Sequence, residues 1–98
     1  MEVVFADGDL DRLEADARFT AGFGQPVVRG YRKAMQAIRA AADERDLYAL
    51  KGLRLEKLKG DRAHQHSLRI NAQWRLVVEF AGEGSTKKVR VVQIVDYH

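Results

Sequence analysis

The sequence predicts a single α+β domain in which two N-terminal helices pack on one face of a small, mostly antiparallel, twisted sheet. The expected element order is β-α-α-β-β-β. Three observations carry this reading. Apolar residues recur at helical spacing over residues 10–42, they alternate with a period of two from Leu53 onward, and the 98 residues contain neither a linker nor an internal repeat.

Val3, Val4 and Phe5 form a short β-prone opening before the turn residues Asp7, Gly8 and Asp9. Leu10, Leu13 and Ala17 then repeat at helical spacing, with acids early in the segment, where the helix dipole favours them. Two glycines within residues 20–25 break this helix, and Pro26 suits the first turn of the next. Val28, Tyr31, Met35, Ile38 and Ala42 trace the stripe of an amphipathic helix, expected to end near Arg45 or Leu47. Leu68 and Ile70 alternate with Arg69 and Asn71, and Trp74, Leu76 and Val78 alternate with Arg75, Val77 and Glu79. Residues 81–86 read as a Gly-rich turn, and residues 89–97 as a more apolar strand that sits centrally.

Two helices can cover one side of such a sheet. If Leu68, Ile70, Trp74, Leu76 and Val78 face the helices, Arg69, Asn71 and Arg75 project from the uncovered side. That side suits phosphates.

Charge sharpens the point. Residues 1–46 carry 7 Lys and Arg against 9 Asp and Glu, whereas residues 47–98 carry 10 against 5, so the basic excess lies wholly in the second half. A polyanionic partner fits this split, as does a merely solvated basic face. With 46% hydrophobic residues the chain can bury a core, yet no apolar run approaches the roughly 18 residues of a membrane span. The opening residues lack the features of a secretory signal, so a cytoplasmic location is expected. Without cysteine, disulfides and thiolate catalysis are excluded.

Three constellations could carry chemistry. Residues 51–62 hold five cations in twelve positions, namely Lys51, Arg54, Lys57, Lys59 and Arg62, while Leu53, Leu55 and Leu58 can anchor the segment. Such cations supply phosphate contacts, the dominant source of nucleic-acid affinity. The sequence closes on Asp96, Tyr97 and His98, a carboxylate, a phenol and an imidazole suited to acid–base work, or three polar residues of a frayed end. His64 and His66 read as exposed loop histidines rather than metal ligands, and no phosphate-binding loop, dinucleotide fingerprint, zinc-finger spacing or nucleophile elbow occurs.

Taken together, Leu58-Lys59-Gly60-Asp61-Arg62, Ser67 to Asn71 running into Gln73-Trp74-Arg75, and the closing Asp96-Tyr97-His98 resemble the HigB toxins of the RelE/ParE superfamily. The resemblance spans most of the chain and is strongest over residues 53–98. It implies a cytoplasmic toxin of a type II toxin–antitoxin system, an mRNA endonuclease working in the A site of the 70S ribosome without a metal or other cofactor. A helix-turn-helix, HigA-like antitoxin would silence it and would provide its indirect link to DNA. By the same resemblance Lys59 and Arg75 neutralise the scissile phosphate, and Asp96, Tyr97 and His98 occupy catalytic or substrate-contacting positions. Lys51, Arg54, Lys57, Arg62, Arg69 and Asn71 would then hold RNA. The sequence departs from the pattern at Glu56, where some HigB proteins carry a histidine, so the division of acid and base roles stays open. A ParE-like gyrase inhibitor and a non-toxic RNA-binding domain are the rival readings.

Overall fold

The computed structural model describes residues 1–83 and 86–96. Strand β1 (Glu2–Phe5) leads into helices α1 (Gly8–Ala15), α2 (Gln25–Ala40) and α3 (Glu44–Ala49). Strands β2 (Glu56–Lys57), β3 (His66–Arg69), β4 (Trp74–Ala81) and β5 (Lys88–Asp96) follow, with short 3-10 turns at Lys51–Leu53 and Gly60–Arg62. The five strands form one sheet in the order β1-β5-β4-β3-β2. It is antiparallel except at β1, which runs parallel to β5.

Local chemistry explains the helix ends. The Asp7 carboxylate accepts from the Leu10 N–H at 3.0 Å and caps α1. Helix α1 stops at Ala15, so Ala17 lies outside it and is exposed. Arg32 donates to the main-chain oxygens of Leu13 and Asp16 at the end of this helix and of Phe19 beyond it. The second helix also ends before its expected limit, at Ala40. Asp43 accepts from the Arg45 N–H and starts α3 as a separate helix, because a capping carboxylate satisfies orphan donors that an uninterrupted helix would not have. The apolar stripe that continues through Ala42 masks this break, and β2, two residues within the basic segment, is too short for alternation to mark.

All three helices lie on one side of the sheet. Leu10, Leu13, Val28, Tyr31, Met35, Ile38 and Leu47 meet Leu68, Leu76, Val78, Val89 and Val91 in one core. The buried Tyr31 hydroxyl donates to the Leu10 carbonyl at 2.7 Å, which satisfies the polar end of a core aromatic and locks α2 to α1. Gly30 brings α2 against the end of β3, where an added Cβ would stand 2.5 Å from the Ile70 carbonyl oxygen. Trp74 is half-buried rather than fully so, edge-on to Phe23 with ring centroids 5.7 Å apart.

One irregularity decides which β5 residues face where. Val77 pairs with Gln93 while Val78 pairs with Val91, leaving Val92 as a bulge. Val89 and Val91 reach the core on one side of this step, and Ile94 reaches it on the other. Among the described residues, no helix is long and apolar enough to cross a membrane.

Candidate nucleic-acid interface and active site

Pairing partners in an antiparallel sheet share a face, so the register maps the side away from the helices. Arg69 stands opposite Arg75, and Arg75 opposite Val95. The next row is Glu56, Ser67, Val77 and Gln93. Beyond it come Glu79, Arg90 and Val4. Arg69 and Arg75 therefore do share the uncovered face, as the alternation predicts. The middle of this face is dry, since Val77 is 1% exposed although it lies outside the helix-facing core. Its rim is charged. A dry floor lowers the local dielectric and strengthens the action of rim charges on a bound anion.

Two groups flank the floor. At one end Arg75 Nη1 donates to the Asn71 carbonyl at 2.9 Å and the Trp74 carbonyl at 3.2 Å, which aligns the guanidinium over the β3–β4 turn. At the other end the Glu79 carboxylate accepts from Gln65 Nε2 at 2.9 Å and Arg90 Nη1 at 3.3 Å, with His64 Nε2 at 3.6 Å. The Gln65 hydrogen bond first, with Arg90 and His64 adding to it, holds the Glu79 carboxyl below its ordinary range against the opposing effect of burial. Arg62 Nε donates to Gln65 Oε1 at 3.1 Å, so this chain of contacts ties the basic segment to the sheet.

Several expected site residues are placed differently. Asn71 is not a strand residue presenting its amide. Its Oδ1 accepts from the N–H groups of Gln73 and Trp74, both at 2.9 Å, because a short Asx side chain can close a turn locally. Lys57 pairs with His66 and shares the helix side of the sheet, whereas its neighbour Glu56 pairs with Ser67 on the uncovered side. Asp96 pairs with Trp74 and accepts from Gln73 Nε2 at 3.0 Å, which puts it across the sheet from Arg75. Lys59 precedes and Arg62 closes the exposed Gly60–Arg62 turn, and Arg54 ends the Lys51–Leu53 turn in a left-handed conformation (φ 47°). Lys51 borders a cleft on the helix side. Tyr97 and His98 lie outside the described residues.

His66 is no loop residue. It belongs to β3, its ring 5.0 Å from Phe80 and 6.5 Å from Tyr48, and its buried Nδ1 has no hydrogen-bond partner among the described residues. Burial first, and Lys57 second, push its pKa below 6.5 against the pull of Glu44. The sequence reading passed over Glu79, Gln65 and Arg90 as site residues. Alternation did place Glu79 on the Arg75 face, but the β5 bulge concealed Arg90. Among the described residues no group of three or more His, Asp or Glu could hold a metal.

A five-stranded sheet backed by helices on one side, with a dry floor and a rim of mixed charge on the other, defines a small α+β domain. The same architecture occurs in a YoeB/ParE toxin from Agrobacterium tumefaciens, 27% identical, with a TM-score of 0.63 and all of both chains covered. The family of HigB-like toxins, described as RelE-like toxins of the type II toxin–antitoxin system HigB, matches residues 4–98, and the chain belongs to it. A search of curated proteins by sequence finds no match. A type II toxin implies an antitoxin as partner.

Proposed function

We propose that this toxin is a ribosome-dependent endoribonuclease that cuts mRNA in the A site through attack of the 2′-hydroxyl on the adjacent phosphate. The observation that carries the reading is the cross-strand pair Arg69–Arg75 on the uncovered face. Like charges directly opposite each other weaken a sheet, and a phosphate seated between them turns that repulsion into binding.

Glu56 lies diagonally across the strands from Arg69 on this face, roughly 7 to 8 Å away. A carboxylate there is the base that accepts the 2′-hydroxyl proton. Arg75 and Arg69 then stabilise charge on the pentacoordinate phosphorus, and Lys59 adds charge from the neighbouring loop. His98 and Tyr97 match catalytic or substrate-contacting positions by the resemblance; in this reading His98 returns a proton to the departing 5′-oxygen and Tyr97 stacks on a base. Asp96 orients the site through Gln73 and the β3–β4 turn. Arg54 and Arg62 grip flanking phosphates. The step closes the 2′-oxygen onto phosphorus and breaks the bond to the 5′-oxygen, leaving a 2′,3′-cyclic phosphate and a 5′-hydroxyl. It needs no metal.

The test is message cleavage in a translating extract. Discrete cuts in ribosome-bound mRNA support the proposal, whereas intact message with inhibited supercoiling identifies a gyrase poison instead.

A further inference from the structure

A cleft of about 780 Å³ opens beside the sheet, between α2, the Lys51–Leu53 turn and the end of β3. Its apolar lining includes Leu50, Leu53 and Ile70, with Leu50 49% exposed although it is a large hydrophobic side chain. Lys33, Lys51 and Arg69 are the charged residues around it, all cationic, with no acid among its described lining residues.

We infer that this cleft docks an acidic amphipathic helix of the antitoxin. The inference rests on membership of the type II toxins and is independent of how the toxin poisons the cell. An apolar trough needs aliphatic side chains, which one face of a helix supplies at i, i+3 or i+4, and i+7. A cationic rim needs carboxylates on the flanks of that same helix. Single-stranded RNA is the poorer occupant, because no aromatic ring lines the cleft for a base to stack on. Arg69 borders the cleft and also belongs to the Arg75 row, so an occupant that pairs with Arg69 withdraws it from the phosphate. Docking there thereby weakens the phosphate site through Arg69, while neither Glu56 nor Arg75 lines the cleft.

Leu50→Glu and Lys33→Glu test this, because both side chains are exposed and neither lies on the proposed RNA face. Binding of the purified cognate antitoxin to wild type and to each variant is measured by calorimetry at low and high salt. Hydrogen exchange is followed over residues 49–53 and 69–72 with and without antitoxin. Each variant should lose about thirtyfold or more in affinity, keep its thermal stability, and cleave message at the wild-type rate when free. The wild-type affinity should fall with salt, and both segments should gain protection in the complex. Unchanged affinity with no protection of these segments overturns the inference. So does loss of cleavage with antitoxin affinity intact, which would make the cleft an RNA surface. If the wild type proves not to cut message, the affinity and exchange measurements still decide the docking question.

Discussion

Arg75 Nη1 donates to the Asn71 carbonyl oxygen at 2.9 Å, while the Asn71 side chain closes the turn that presents Arg75. The guanidinium is thus oriented by the backbone beside it before any substrate arrives. Arg75→Ala should lower single-turnover cleavage by about a hundredfold or more, the usual loss for one transition-state donor. Arg75→Lys should recover little, since an ammonium cannot hold the turn and a phosphate with the same fork. Thermal unfolding should shift little for either, because the side chain is half-buried and outside the core.

Glu56→Gln should remove the proposed base at similar size. Cleavage should fall by about 10² to 10⁴, with stability unchanged because residue 56 is exposed. Wild-type turnover by the glutamine variant would move the base role elsewhere on this face. Glu79 is an alternative carboxylate on the same face in that case.

Trp74→Ala should act on the fold instead. The ring is half-buried against Phe23, so the loss should be about 2 kcal/mol, below the range for a fully buried aromatic. Denaturant midpoints for this variant and Phe23→Ala, and for the double mutant, measure their coupling. If instead Trp74→Ala proves stable and inactive while Arg75→Ala unfolds, the strand register is off by one residue.

Gly30→Ala sets helix propensity against space. Alanine gains about 1 kcal/mol within a helix, but its Cβ would meet the Ile70 carbonyl at 2.5 Å. Overpacking of that kind costs about 1 to 3 kcal/mol, so the variant should be less stable on balance. A rise in melting temperature would show that α2 and β3 can separate freely.

His66 predicts a pH dependence. Its folded-state pKa lies below 6.5, chiefly through burial and then through Lys57, with Glu44 pulling the other way. The unfolded chain therefore binds this proton more readily. The stability is fully present above about pH 6.5 and declines as pH falls from there toward the folded value. Replacing His66 with Phe, between Tyr48 and Phe80, should flatten that part of the stability curve. An unchanged slope would assign it to another group.

Much of this was legible in the residues themselves. Strict alternation in residues 68–79 placed Arg69 and Arg75 on one face, because burial of Leu68, Leu76 and Val78 leaves no other register. Asn71 misled, since the same alternation runs on into a turn where an asparagine bonds its own backbone. The break between α2 and α3 was hidden by alanines, which favour continuing the helix, and depends on the Asp43 cap. Arg90 was concealed by the bulge at Val92, which shifts the face of every residue beyond it. The partnership of Gln65 and Glu79 joins a loop to a strand fourteen residues away, a relationship that no local pattern encodes.

The chemistry of the cut ends tests the central claim most directly. Wild-type toxin is mixed with pre-formed ribosomes carrying a labelled message, and the 3′ end of the upstream fragment is analysed after one turnover. Attack by the 2′-hydroxyl predicts a 2′,3′-cyclic or 3′-phosphate at the A-site cut, lost in both Glu56→Gln and Arg75→Ala. A 3′-hydroxyl at that position, or an intact message with well-folded toxin, would contradict the account.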